Sequence, residues 1–324
     1  MNKRLVSLLA IASIFLTTNL FAEENSAPLT FSLSTDATYS PKTNNVVSNV
    51  THFAPITGIY SGVGARTTFN ASYTIHTPLG TNALVKDDTL VFTGSIELSP
   101  ITILPKLKVT FTPIAFLVFS AGTMAGTGWN LLGSMQGISE YNASTKTYDD
   151  LKTGNSWYIN TWASGTFQFD TGALWPGDWH HIVIQATYEV DYITLTNTDS
   201  SVWNWQMTYG SASGWQQYQS YIIGYQMPLT LAMVGTRIEL TGHYNSSDYD
   251  VYADSYNGDF TSVDISPLLV FNFPKKDTLF ILFNFQGRRG YSEEYASAQD
   301  EINLTNTCTE WYFRRLALSW THTF

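Results

Sequence analysis

Cysteine is almost missing from this chain: Cys308 is the only one in 324 residues. An internal disulfide is therefore impossible, although an exported protein would be free to form one, and Cys308 is read as an inert strand or loop residue. Charge is scarce as well. Asp, Glu, Lys and Arg make up 13% of the chain, against about 25% in a typical soluble domain. Positive charge is the scarcer sign, with 16 Lys plus Arg against 26 Asp plus Glu and a net charge of −10. That balance argues against a nucleic-acid partner and against a polybasic membrane-surface role. Long apolar runs are absent too: beyond the first 22 residues nothing reaches the 18 or so that a membrane-spanning helix needs, and Pro113 to Ala121 stops well short.

What is abundant is aromatic, at 15% of residues, in a chain whose mean hydropathy is only −0.06. Strict alternation of apolar and polar residues produces that combination, because a strand turns successive side chains to opposite faces and the two faces average out. In residues 182–192, Ile182, Ile184, Ala186, Tyr188, Val190 and Tyr192 oppose Gln185, Thr187, Glu189 and Asp191. Residues 29–39, 66–77, 90–99, 203–209, 219–226, 232–242 and 263–273 alternate in the same way, and 107–121, 157–169 and 278–286 are strand-like with apolar residues on both faces. The outward set of 203–209 reads Trp203, Trp205, Met207 and Tyr209.

The first residues have three regions of a secretory signal: Lys3 and Arg4, an apolar core from Leu5 to Leu16, and Leu20-Phe21-Ala22 before Glu23-Glu24. Cleavage after Ala22 is expected, leaving 302 residues with a net charge of −12. Residues 23–324 then form a single domain, with no linker, low-complexity tract or long repeat.

The last stretch puts Leu316, Leu318, Trp320, His322 and Phe324 on one face and Ala317, Ser319, Thr321 and Thr323 on the other. With it, about twelve segments approach the 9–11 residues of a tilted spanning strand, and ten or fourteen stay open. Turns are expected at Met227-Pro228-Leu229 and Phe273 to Asp277, and exposed loops at 40–65, 126–156, 243–261 and 287–309. Short and long connections alternate from residue 227 onward. Upstream the count puts 126–156 at the wrong end, so a strand is missed or invented between 122 and 226, or that segment folds into the lumen. Trp157, Trp162, Trp175, Trp179, Trp203, Trp205, Trp215, Trp311 and Trp320 lie mostly near expected strand ends and are read as an interfacial girdle rather than a ligand-stacking surface.

The signal, the whole-chain alternation and the ending resemble the general class of Gram-negative-type outer-membrane β-barrel proteins. The resemblance implies an all-β fold, a transmembrane antiparallel β-barrel in the cell outer membrane, with outer-membrane lipid and the barrel-assembly machinery as partners. It also implies that Leu316, Leu318, Trp320 and Phe324 form an assembly signal. His322 stands where that class more often has an aromatic residue.

The presumed lumen face is rich in Ser, Thr, Asn and Gln and carries Arg66, Glu97, Glu189, Asp191, Arg237, Glu239 and Asp264. Such a face suits a porin-like channel for passive passage of small hydrophilic solutes, while the same charges paired would fill a non-conducting structural or adhesive barrel acting through its loops. No catalytic residue, cofactor or metal is assigned. His180 and His181 in Asp178-Trp179-His180-His181 point apart if extended and are read as a polar turn. Gly126-Thr127-Gly128 lacks the rest of a phosphate loop, and no Gly-x-Ser-x-Gly elbow exists. Asp248, Asp250, Asp254 and Asp259, with Asn245 and Asn257, have no EF-hand spacing and are read as a solvated acidic loop.

Overall fold

The computed structural model describes residues 28–80, 88–274, 276–295 and 298–324; the expected signal segment 1–22 lies outside the described residues. Twelve antiparallel strands form one sheet. They are β1 (Leu29–Thr43), β2 (Ile56–His76), β3 (Thr89–Ser99), β4 (Thr102–Ile114), β5 (Leu117–Gly128) and β6 (Tyr158–Asp170). The others are β7 (His181–Leu195), β8 (Gly214–Gln226), β9 (Leu231–His243), β10 (Ser262–Phe273), β11 (Asp277–Tyr291) and β12 (Asn306–Thr323). Each pairs with its neighbour in sequence, and β12 pairs back onto β1 from Ser32↔Thr323 to Tyr39↔Leu316. The sheet is thus a closed barrel without free edges, which removes the exposed backbone donors and acceptors of an open sheet.

Leu29 and Phe324 lie at one end, the base; the opposite end is the mouth. Base connections are short, at 115–116, 227–230 and 274–276, or moderate, at 77–88 and 171–180. Mouth connections are long, at 44–55, 129–157, 196–213, 244–261 and 292–305, apart from the two-residue turn at 100–101. That short turn is fixed locally, because Ser99 Oγ accepts from the Ile101 and Thr102 backbone N–H groups at 3.3 and 3.0 Å.

The strand number matches the sequence expectation through two compensating errors. Residues 107–121 are not one strand: β4 and β5 meet at the tight turn 115–116, next to a register irregularity between Phe111 and Ile114 that accommodates Pro113. Conversely, 203–209 is no barrel strand. It belongs to a hairpin, Val202–Trp205 and Thr208–Ala212, in a separate four-stranded sheet with Ile138–Asn142 and Thr147–Asp150. With both corrections 129–157 falls at the mouth with the other long loops. The expected loops at 40–65 and 287–309 are also shorter, since β1, β2, β11 and β12 run on into them.

The alternation sorts side chains as a spanning barrel requires. Outward residues such as Phe69, Phe92, Ile96, Leu107, Ile184 and Ile223 are exposed, whereas Ser34, Thr68, Glu97, Gln185, Ser266 and Ser319 on the other face are buried. Near the base, Phe31, Tyr73, Phe92, Phe119, Phe167, Tyr225, Phe273 and Trp320 form an outward aromatic ring, with Trp175 and Trp179 exposed in the 171–180 turn. Three tryptophans depart from the girdle expectation. Trp162 faces inward against the cluster containing Leu104 and Tyr158, and Trp203 and Trp205 are buried in that cluster, 0% and 2% exposed.

Candidate functional site

The lumen is built in layers. At mid-height six cationic side chains (Arg66, Lys106, Lys108, Arg237, Arg314, Arg315) face inward with six carboxylates (Asp36, Glu97, Glu189, Asp191, Glu239, Asp264). All seven lumen-facing residues singled out in the sequence lie in this layer. Six are buried and Glu189 is partly accessible.

On the β1–β4 wall, Arg66 Nε donates to Asp36 Oδ2 at 2.7 Å and Nη1 to Glu97 Oε2 at 3.1 Å. Lys106 Nζ donates to the same Glu97 oxygen at 2.6 Å. The register dictates this group, since Asp36 stands opposite Arg66 and Thr68 opposite Glu97. On the facing wall, Arg237 Nη2 donates to Tyr218 OH at 2.7 Å and to Glu239 Oε1, and Tyr218 OH donates to Glu239 at 2.7 Å. Arg314 Nη1 lies 3.6 Å from Asp264 Oδ1, which also accepts from Asn284 Nδ2 at 3.3 Å. On β6 and β7, Asn160 Nδ2 donates to Asp191 Oδ2 at 2.9 Å.

Sequence reasoning missed Asp36, Lys106, Lys108, Arg314 and Arg315. Lys106 and Lys108 were hidden by the misplaced β4–β5 boundary, although Lys106, Lys108 and Thr110 alternate cleanly with Pro105, Leu107 and Val109. Asp36 stood on the polar face of the first strand and was passed over. Arg314 and Arg315 sit at the register shift between Asn284 and Phe285, where simple alternation breaks.

Below the charges the two walls differ. Strands β1–β7 present hydroxyl and amide groups paired across strands: Ser72 with Thr93 at 3.0 Å, Thr110 with Ser120 at 3.1 Å, Thr166 with Thr187 at 2.8 Å, and Asn70 with Ser32 and Ser95. Most of these residues are only partly buried, as are Lys108 and Glu189 above them. Strands β8–β12 instead present Ile222, Met233, Leu268, Val270, Phe280, Leu282 and Ala317, a packed apolar cluster facing inward. Period-two alternation does not disclose this half, because its inward residues are apolar like its outward ones.

Above the charges the mouth is filled by the hairpin at 202–212. Its two-residue tip, Gln206 and Met207, has φ of +52° and +58°, the left-handed pair of a type I′ turn made without glycine. Trp205 stacks on Tyr158 with ring centroids 4.7 Å apart. Gln206 Nε2 reaches the charged layer, donating to Thr102 Oγ1 at 2.8 Å and Glu97 Oε1 at 3.3 Å. The hairpin hangs from the 129–157 loop through Gln206 N–H to Gly137 O at 2.8 Å. A Cβ on Gly137 would collide with the Ile101 carbonyl, so the loop can pass the 100–101 turn only as glycine.

Further out, Tyr141, Tyr148, Tyr249, Tyr256, Val202, Ala212 and Ile302 join four mouth loops in an aromatic cap. Arg289 stacks 3.9 Å from the Tyr256 ring centroid. Burial pushes the Tyr148 and Tyr256 hydroxyls well above the usual phenol range, so both phenols stay protonated.

The other residues singled out in the sequence fall elsewhere. His181 Nδ1 lies 2.8 Å from Asp170 Oδ2, and the His180 carbonyl accepts from Thr171 Oγ1, both at the base turn. Asp248 Oδ2 engages His243 Nδ1 at 2.8 Å, and no group of three potential metal ligands occurs among the described residues. Cys308 Sγ is 4.0 Å from His52 Nδ1, and His52 Nε2 is 3.1 Å from Glu310 Oε1. The spacing suggests a thiol, an imidazole and a carboxylate in series, but His52 Nδ1 is 2.9 Å from the Val50 carbonyl and the Cys308 thiol donates to the Ser48 carbonyl at 3.4 Å. Leu316, Leu318, Trp320 and Phe324 lie on the outer surface of the last strand, with Leu318, Trp320 and Phe324 exposed.

No protein-family model matches the sequence, and comparison with curated proteins gives no match. Among solved structures, the chain is similar to an outer membrane channel from Pseudomonas putida F1, at 10% identity and a TM-score of 0.49, over 94% of this chain and 98% of that one. It is similar to the translocator domain of autotransporter NalP from Neisseria meningitidis at 9% identity and a TM-score of 0.41, over 98% and 97% of the two chains. It is also similar to the NanC porin, at 7% identity and a TM-score of 0.39, over 90% and 98%. The strand pairing itself gives the architecture, a closed twelve-stranded antiparallel β-barrel.

Proposed function

We propose that this barrel resides in the cell outer membrane, base inward, and is a porin-like passage for small hydrophilic solutes whose mouth is closed by the 202–212 hairpin. The observation that carries this is the partly accessible hydroxyl wall of β1–β7, which leads from the base up to Lys108 and Glu189 in the charged layer. A barrel filled only for stability would favour apolar packing there, as β8–β12 do. Buried polar atoms of the lumen point the same way. Arg66 Nη2, Arg237 Nε and Nη1, Thr68 Oγ1 and Ser220 Oγ have no protein partner among the described residues, and each such group costs about 1–3 kcal/mol unless water or a solute meets it. The equal numbers of inward charges make such a lumen one for neutral or weakly charged solutes.

A second reading is favoured by the ordered mouth: a barrel that never conducts and presents the aromatic cap to a surface partner. Planar-bilayer recording separates the two. The natural chain should conduct rarely, and a variant with residues 202–212 replaced by a short Gly/Ser link should conduct steadily. A folded link variant that stays silent would leave the cap as the functional part.

A further inference from the structure

We propose that Gln206 occupies a binding site for a primary carboxamide, so that the hairpin closes the lumen as a tethered competitor of an amide-bearing solute. The inference rests on the passage reading above and names the chemistry that the passage would recognise.

Two acceptors converge on one nitrogen. Thr102 Oγ1 and Glu97 Oε1 both accept from Gln206 Nε2, at 2.8 and 3.3 Å, and both parent residues are 0% exposed. When the hairpin leaves, Glu97 Oε1 loses this donor and Thr102 Oγ1 keeps only Ser99 Oγ, 2.7 Å away. A ligand supplying an NH2 group with two usable hydrogens restores both bonds.

Charge decides between an amide and an ammonium group. The other Glu97 oxygen already accepts from Lys106 Nζ at 2.6 Å and Arg66 Nη1 at 3.1 Å, and Arg66 also holds Asp36. Two cations and two carboxylates leave this wall neutral. An ammonium ligand would add a third positive charge beside Lys106 and Arg66, and like charges at that range repel. A neutral carboxamide reproduces what Gln206 supplies and adds no charge.

The tip carries backbone strain: Gln206 and Met207 both adopt the left-handed conformation, with φ of +52° and +58°, which non-glycine residues rarely take. Glycine in place of Met207 would relax the turn and favour the inserted state. Trp205 stacks on Tyr158, and when it leaves with the hairpin it uncovers the Tyr158 ring as an aromatic wall for the rest of a solute.

The test uses the full chain in detergent, with propionamide as probe and N,N-dimethylpropionamide and methylammonium as controls, read by saturation-transfer NMR on the probe. Gln206→Ala should bind propionamide saturably, with half-saturation at least about tenfold below that of the natural chain, because the tethered competitor is gone. Thr102→Val in the Gln206→Ala background should weaken binding roughly tenfold, the loss of one hydrogen bond to a buried acceptor. Both controls should fail to bind. Equal signals from propionamide and its dimethyl analogue, methylammonium binding as well as propionamide, or no change on either substitution would overturn the proposal. Binding without conductance in the Gly/Ser link variant would remove the passage and keep the site; conductance without amide selectivity would remove the site and keep the passage.

Discussion

At the scale of single residues, Arg66 is the most committed side chain in the lumen, joining Asp36 on β1 and Glu97 on β3 from its own place on β2. Removing one partner of a buried ion pair leaves uncompensated charge, at about 3–5 kcal/mol. Arg66→Met should lower unfolding stability by that amount in urea titrations of the detergent-solubilised barrel. Loss under about 1 kcal/mol would show that water already screens the group. Met207 carries the opposite expectation. Its φ of +58° is one glycine adopts freely, so Met207→Gly should steady the inserted hairpin by about 1 kcal/mol, seen as fewer openings per minute in bilayer recordings. More openings would mean the Met207 side chain, not the backbone, holds the tip.

At the scale of elements, the cap and the barrel respond to different conditions. Glu301 lies in the 292–305 loop near Arg288 and Arg289, and burial lifts its carboxyl above the ordinary carboxylate range against the pull of both arginines. A raised folded-state value means that the folded cap binds the proton more tightly than the unfolded chain does. Its contribution is full below the ordinary Glu range and is lost as pH rises through the folded value. Melting should therefore occur at a higher temperature at pH 5 than at pH 8, and Glu301→Gln should narrow the gap; an unchanged gap would show that Glu301 does not set it. Elements also show what the sequence could disclose. Strands such as 182–192 and 232–242 were legible because one face meets an apolar surround, which forces period-two alternation. The β4–β5 boundary was not, because Pro113 and the register shift beside it break the alternation where the turn must be read. The 203–209 segment alternates as a barrel strand does, yet its tryptophans face the buried core of the mouth. Alternation reports that two faces differ, not which surroundings each face meets. The same blindness hid the Gln206 contact, which joins positions 104 and 109 residues apart.

At the scale of the whole molecule, closure depends on a single seam, β1 with β12. Removing residues 316–324 takes away the partner of β1 and of much of β11. The shortened chain should lose the heat-modifiable band of a closed barrel on mild electrophoresis, while a chain trimmed in the 244–261 loop should keep it. The seam has a second fastening at the mouth. His52 and Phe53 pair in parallel with Glu310 and Trp311 of β12, and Ala54 N–H donates to the Trp311 carbonyl at 2.7 Å. Glu310 gathers Val46 N–H, His52 and Arg288 within 3.1 Å. The loop of the first hairpin is therefore clasped to the last strand. Pulled from its N-terminus by a cantilever tip, the chain should not peel away one hairpin at a time from the start. Its first rupture must also undo the clasp, so the opening force peak should stand above those that follow, and Glu310→Ala should level it.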